Sequence, residues 1–298
     1  MVLLNSAHTG PTPREGALHH LERARASRHA DLDYLFVGDH HVTAYPYYQN
    51  SPMLGRLLAE WHNKPAGALH LLPLWNPVLL AEQIATLAAI MPGGFILQCA
   101  LGGDRQQSEG MGIDMGKRVG MFEDSLSIMQ ALWAGETVSH ERYWPIQEAR
   151  IAPLPEQPVE IWMGSSALPA INRTARLADG WLAVPGMGLN QAQDQLNQYR
   201  QACAEYSRTP SAVAIRRDIM ISSTSQAADT FREAALAKGY RGFPPEALMV
   251  GGVSQVADAM AEFQTAGFTD IIVRNMSRDQ GEALTTIELL AEVRQHLA

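Results

Sequence analysis

Four consecutive residues, Gly38-Asp39-His40-His41, hold the side-chain types best suited to chemistry in this chain. They close an apolar stretch, 34–38, that reads as a buried strand. A carboxylate beside two imidazoles at a strand end makes a general acid/base, Asp39 with His40, that can be tuned near neutrality. The same residues also fit a plain loop in which Asp39 caps nearby backbone donors. A metal site is a third reading, but its other ligands would have to come from distant positions such as His70 or Glu109. Neither spacing is diagnostic of metal binding, so no metal is expected.

Two glycine-bearing turns are the next candidates. Leu101-Gly102-Gly103-Asp104-Arg105 ends another apolar run and is followed by Glu109, Gly110 and Gly112. Glycines there let the backbone approach a flat or anionic ligand, although a tight turn with no ligand would look the same. Met163-Gly164-Ser165-Ser166-Ala167-Leu168-Pro169 places two serines where a strand turns into a helix. Free N–H groups at such a helix start make a phosphate cradle, and plain N-capping by a serine is the simpler alternative. No Gly-x-Gly-x-x-Gly, Walker A, Gly-x-Ser-x-Gly or paired Cys/His pattern occurs, which removes the Rossmann, P-loop, serine-hydrolase and cysteine-protease readings.

Apolar runs at 2–6, 34–38, 68–72, 95–101, 159–163, 180–184, 212–221 and 271–274 read as strands covered on both faces. Amphipathic stretches between them carry single apolar stripes. The clearest are Val119, Phe122, Leu126, Met129 and Trp133; Val78, Ala81, Ile84, Leu87 and Met91; and Leu284, Ile287, Leu290, Val293 and Leu297. Eight strands alternating with helices fit a (β/α)8 TIM barrel, an α/β fold with loop insertions at its C-terminal face, better than an open doubly wound sheet. No linker or repeat divides residues 1–298, so a single domain is expected. Stretches 41–67, 135–158 and 240–253 exceed ordinary connections. The first follows a strand and is the expected functional excursion, with Tyr45, Tyr47 and Tyr48; the second precedes a strand and belongs on the opposite, structural face.

The 298 residues carry 23 Lys+Arg against 31 Asp+Glu, a net charge of −8, which argues against a nucleic-acid partner. No apolar run is long enough to span a membrane. Residues 1–6 lack the basic start and small-residue cleavage site of a signal peptide. Cys99 and Cys203 fall in a strand and a helix, so no disulfide is expected and a cytoplasmic setting is the default.

Asp39-His40-His41-Val42-Thr43 resembles the Glu-His-His-Phe-Thr stretch of bacterial luciferase and the Asp-His element of its F420-dependent relatives. Leu72-Pro73-Leu74-Trp75-Asn76-Pro77-Val78 with 81–87, and Gly102 with Gly112-Ile113-Asp114-Met115, are similar to the blocks that follow the third and fourth strands in luciferase-like monooxygenases. Arg118, Glu123 and Leu132-Trp133-Ala134-Gly135, then 158–164 and Ala178-Asp179-Gly180-Trp181, continue the likeness in order. It covers about residues 30–185 and weakens toward the C-terminus. Met91-Pro92-Gly93-Gly94-Phe95 departs from the family's Ser-Gly-Gly-Arg, and the first strand is short.

The resemblance implies a barrel holding FMN or coenzyme F420 at the strand C-termini, acting on a small-molecule substrate. It places His40 near the reactive ring edge beside Asp39, and His40 or Glu109 in charge of the proton. Gly102 and Gly103 would flank the ring, and Gly164, Ser165 and Ser166 would hold the phosphate. A bulge under the ring, often with a non-proline cis bond, would fall within 68–71 and so involve Ala68 and Leu69. With FMN the chemistry is oxygen insertion, fed by a separate flavin reductase; with F420 it is hydride transfer. Tyr45, Tyr47, Tyr48 and Trp75 would wall the substrate side, and a homodimer is the family's common state. A non-catalytic flavin-binding barrel and a metal-dependent hydrolase using His40 and His41 remain the alternatives.

Overall fold

The computed structural model describes residues 1–4 and 10–297; Asn5 and Ser6 of the first expected strand lie outside them. In chain order the elements begin with β1 (Val2–Leu4), α1 (Pro13–His29), β2 (Leu35–Val37), α2 (Asn50–Trp61), β3 (Ala66–Leu71) and α3 (Pro77–Ala89). Then come β4 (Phe95–Ala100), α4 (Arg105–Gly110), α5 (Arg118–Trp133), β5 (Val138–His140), β6 (Ile146–Ala149), β7 (Glu160–Gly164) and α6 (Leu168–Leu177). β8 (Gly180–Ala183), α7 (Leu189–Glu205), β9 (Ala212–Ile221), α8 (Ser225–Ala237), β10 (Leu248–Gly251), α9 (Val253–Ala266), β11 (Asp270–Asn275) and α10 (Gln280–Leu297) complete the chain. This is an α/β fold of the (β/α)8 barrel class, with β1, β2, β3, β4, β7, β8, β9 and β11 as its parallel strands. All eight answer to apolar runs in the sequence.

Internal contacts group the chain into two compact units, Phe36–Ile161, and Met1–Leu35 with Trp162–Ala298. In the first, β3 and β4 pair in parallel over six consecutive positions, from Ala66 with Phe95 to Leu71 with Ala100. That register is unbroken on the β4 side, where no bulge at 68–71 interrupts it. The one cis peptide among the described residues is Ala152-Pro153, so the expected cis bond in β3 is not there either. α3 starts where Asn76 accepts the N–H groups of Val78 and Leu79, with Pro77 in its first turn. Ala81, Ile84 and Leu87 bury its stripe, and Phe122, Leu126 and Met129 bury that of α5. Val119 is exposed, and Trp133 uses its indole N–H to bind the Ala81 carbonyl at 3.1 Å, fastening α5 to α3.

The second unit is organised by β9, the longest strand. Its first half, 212–215, pairs with β8, and its second half, 218–221, pairs with β10, while β11 runs beside 214–219. β9 is ten residues long because it serves two neighbours in succession. Along α10, Ile287, Leu290 and Val293 are buried as the stripe requires.

The three long connections all contain structure that the sequence did not announce. Residues 41–67 hold α2, a helix interrupted in sequence by Pro52 and Gly55 but anchored by the fully buried Leu54, Leu57 and Trp61. Residues 135–158 hold the β5–β6 hairpin, where His140 meets Asp124 of α5 at 3.1 Å. Residues 156–159 share a cleft with 90–92, at the turn that enters β4, so this stretch does lie at the structural end of that strand. Residues 240–253 hold β10. Among the described residues no helix is long and apolar enough to cross a membrane, and both cysteines are free and buried.

Close packing of β3 gives a sharp test. A Cβ on Gly67 would lie 2.2 Å from the Ile96 carbonyl oxygen and 2.8 Å from the Phe36 ring, whereas one on Gly55 would first meet Leu87 at 3.9 Å. In urea unfolding, Gly67→Ala is expected to lose about 1–3 kcal/mol. Gly55→Ala, inside a helix with room for the methyl, is expected to gain about 0.5–1 kcal/mol.

Candidate active site

Asp39 sits two residues past β2, and its side chain is almost wholly buried. Its Oδ2 accepts the Leu71 backbone N–H at 2.8 Å and the Trp75 indole N–H at 2.9 Å. Its Oδ1 lies 3.0 Å from His41 Nε2. The His41 backbone N–H in turn donates to Gln107 of α4 at 2.6 Å. One carboxylate therefore ties the end of β2 to the end of β3 and to the turn that leads into α3. Trp75 is packed edge-on against His41 and His70, with ring centroids 5.3 and 5.1 Å away.

Electrostatics follow from that burial. Desolvation alone would raise the Asp39 pKa, but the His41 hydrogen bond, the His70 and His41 charges and the Leu71 N–H together hold it below the usual carboxylate value. Asp39 is thus a fixed anion, suited to positioning His41 and Trp75 and not to exchanging protons. His70, wholly buried, is pushed down to about 4 by desolvation against the pull of Asp39, so it is neutral at pH 7.

His40 is placed differently. It is half-buried, its ring stands edge-on to Tyr47 at 5.5 Å, and among the described residues no hydrogen bond engages its ring. Gly38 makes room for that arrangement, since a Cβ there would lie 2.5 Å from the Tyr47 hydroxyl oxygen. Of the three clustered polar residues, His40 alone has its ring free to take or give a proton. Tyr45, one of the expected wall residues, is 76% exposed.

Other expected residues fall less neatly. Glu109 is on α4, its side chain 63% exposed and paired with Arg105 at 3.2 Å, and no contact joins it to Asp39, His40 or His41. Ala68 is fully buried in β3, and the Leu69 carbonyl is taken by Asn50 Nδ2 at 2.7 Å, where α2 begins. Gly102 adopts the left-handed region at φ +70, and a Cβ on Gly103 would meet nothing within 4 Å, so this turn has open space beside it. Among the described residues no group of three or more His, Cys, Asp or Glu could hold a metal ion.

In the second unit, Gly164, Ser165 and Ser166 do stand where β7 turns into α6, but the two serines differ. Ser165 is buried: its hydroxyl is 2.8 Å from that of Thr174, its N–H donates to the Leu182 carbonyl, and its own carbonyl accepts the Trp181 indole N–H at 3.0 Å. All its polar groups are committed to packing. Ser166 is exposed, and the helix begins at Ala167 with no side-chain cap. The N–H groups of Ser166, Ala167 and Leu168 have no acceptor among the described residues, which leaves them for an anion.

Sequence reasoning missed the Gln107 contact to His41 and a second polar cluster around Asp218. That cluster did leave a signal, because Arg216-Arg217-Asp218 interrupts an otherwise apolar strand.

Comparison with known proteins identifies the family. Residues 1–244 match the model of the luciferase-like monooxygenases, and the chain belongs to that family. A phthiodiolone/phenolphthiodiolone dimycocerosates ketoreductase of Mycobacterium bovis is 27% identical over 211 residues, 68% of this chain and 54% of the relative. The chain thus spans about half the length of the curated relatives it matches. Among solved structures, an F420-dependent secondary alcohol dehydrogenase in complex with an F420-acetone adduct aligns over 100% of this chain and 99% of its own, with a TM-score of 0.82 at 16% identity. The FMN-bound oxygenating constituent of 3,6-diketocamphane monooxygenase from Pseudomonas putida aligns over 100% and 98%, with a TM-score of 0.81 at 19% identity. Relatives of this chain therefore use F420 or FMN.

His70 gives the fold a pH dependence of definite sign. Unfolded, it titrates near 6.5; folded, near 4. The unfolded chain binds more protons between those values, so the stability conferred by neutral His70 is complete above pH 6.5 and is lost as pH falls toward 4. The contribution of Asp39, whose folded pKa is lowered, is lost only as pH falls through the ordinary carboxylate value and below. Unfolding free energy measured at pH 7 and pH 4.5 is expected to drop less in His70→Leu than in the parent, whatever the absolute stability of the variant.

Proposed function

We propose that this protein is an oxidoreductase that binds F420 or FMN and transfers a hydride to or from a small alcohol or ketone, with His40 moving the accompanying proton. The carrying observation is the contrast inside one cluster: Asp39 is a buried, fully hydrogen-bonded anion, while His40 beside it is half-exposed with its ring uncommitted. The curated relatives at 27–28% identity are named as a ketoreductase and an F420-dependent glucose-6-phosphate dehydrogenase, which favours hydride transfer over oxygen insertion.

The donor set suits such a cofactor. The open space at Gly103 and the left-handed turn at Gly102 leave room for a flat ring system. Taken by itself, the uncapped start of α6 in the other unit offers the N–H groups of Ser166, Ala167 and Leu168 to a phosphate, with the helix dipole adding to the attraction. When bound, the cofactor supplies the hydride chemistry, and the protein supplies position and electrostatics. His40 would hold or release the proton at an imidazole nitrogen. Asp39 would keep Trp75 and His41 in place, acting through them and not on substrate.

Parallel titrations of the purified protein with FMN and F420, oxidised and reduced, test the cofactor. Ligand at about 100 times its dissociation constant stabilises a fold by about 2.7 kcal/mol. Selective F420 binding supports hydride transfer, selective FMN binding shifts the reading to oxygenase chemistry, and binding of neither overturns it. His40→Ala is expected to keep cofactor affinity while turnover falls by about 10²–10⁴. Ser166→Asp, which sets a carboxylate against the phosphate, is expected to weaken cofactor binding without unfolding the chain; unchanged affinity would remove the α6 turn from the site.

A further inference from the structure

A second polar cluster lies in the unit formed by Met1–Leu35 and Trp162–Ala298. Asp218 of β9 is completely buried and surrounded by cations. Arg274 of β11, its direct neighbour in the sheet, reaches its Oδ2 at 3.0 Å, and Arg216, two positions earlier on β9, places Nε 3.3 Å from its Oδ1. From the turn before β10, Arg241 approaches Oδ2 at 3.9 Å, while the Tyr240 hydroxyl donates to Oδ2 at 2.8 Å and accepts from Arg274 at 2.8 Å. Arg217 leaves the group: it stacks on Phe263 of α9 at 4.2 Å and donates to the Pro185 carbonyl.

Three guanidinium groups thus face one carboxylate, and among the described residues Asp218 is the one anion acting on Arg216 and Arg274 apart from the Tyr240 hydroxyl, which is un-ionised at neutral pH. Burial pushes Arg216 down to about 10, so it keeps its charge at neutral pH. Its Nη2 is buried with no hydrogen-bond acceptor, although a guanidinium in such a place normally has each N–H matched. Arg216 and Arg274 are mostly buried on their strands and Arg241 is partly exposed on its turn, so the cluster holds more positive charge than its one carboxylate balances. Guanidinium forks match the oxygens of a phosphate or carboxylate in pairs.

We infer that Arg216, Arg241 and Arg274, held by Asp218 and Tyr240, form an oxyanion site that takes a phosphate or carboxylate group of a ligand. The site goes beyond the cofactor reading and does not depend on it, since it rests on this cluster alone.

The test titrates inorganic phosphate, by calorimetry and thermal shift, into a full-length parent freed of cofactor that carries Ser166→Asp to close the α6 turn, with Arg241→Gln and Arg274→Gln each added to it. This parent is expected to bind phosphate in the millimolar range or tighter, and each arginine variant to bind it about tenfold more weakly or worse. Arg241 is 42% exposed on a turn, so Arg241→Gln carries the test even if Arg274→Gln fails to fold. Displacement of phosphate by FMN or F420 would assign the oxyanion to the cofactor, and phosphate binding beside saturating cofactor would assign it to the substrate; both agree with the site. Absence of phosphate binding to the parent overturns it. So does binding that survives both arginine changes. Because no cofactor is present in the primary titration, that result stands apart from the success or failure of the FMN and F420 titrations.

Discussion

The buried carboxylate of Asp39 is the constraint on which the site region depends. A charge taken out of water must be repaid by polar partners, and Asp39 finds hydrogen bonds in a backbone N–H from the end of β3 and an indole N–H from the following turn, with the His41 imidazole 3.0 Å away. Each donor comes from a different stretch of chain, so satisfying one charge fixes the relative placement of all three. Trp75, held by its indole nitrogen, then fills the space between the His41 and His70 rings. The hydrogen bond from His41 to Gln107 extends the same arrangement to α4.

Division of labour between adjacent residues follows. Side chains alternate along a strand, and at the end of β2 that alternation sends Asp39 and His41 into the buried network while His40 keeps its ring uncommitted. A group locked by three donors cannot serve as a proton carrier without breaking its surroundings, whereas a half-exposed imidazole can. The serine pair after β7 obeys the same logic. Ser165 closes the packing between β7, β8 and α6, and Ser166 is left beside an uncapped helix start. In both places two neighbours that look alike in sequence are separated by which face of the chain is buried.

The Asp218 cluster inverts this balance. Asp39 is one anion met by enough donors, whereas Asp218 is one anion met by too many cations. An excess of buried charge is costly wherever it occurs, and here it is concentrated where β9 exchanges β8 for β10 as its neighbour.

Much of the architecture was legible because it rests on period. Apolar runs covered on both faces mark parallel strands, and stripes at helical spacing mark the helices that cover them, so eight strands, α3, α5, α10 and the (β/α)8 class could be read directly. The Asp-His-His element and the two glycine turns were visible because such residue types at strand ends carry chemistry whatever lies around them. α2 and β10 were not visible, since α2 is held by burial of Leu54, Leu57 and Trp61 in spite of its proline and glycine, and β10 exists because β9 is long enough to pair with it. Fine backbone geometry was not legible from residue type: the cis bond expected in β3 is not among the described peptides, and the pairing of β3 with β4 runs on without a break. The sequence by itself determined which residues could be buried and which could react. Which of Asp39 and His40 is locked, which of Ser165 and Ser166 is free, and which arginines gather around Asp218 were decided only by the tertiary structure, because desolvation and hydrogen-bond partnership belong to neighbours that are distant along the chain.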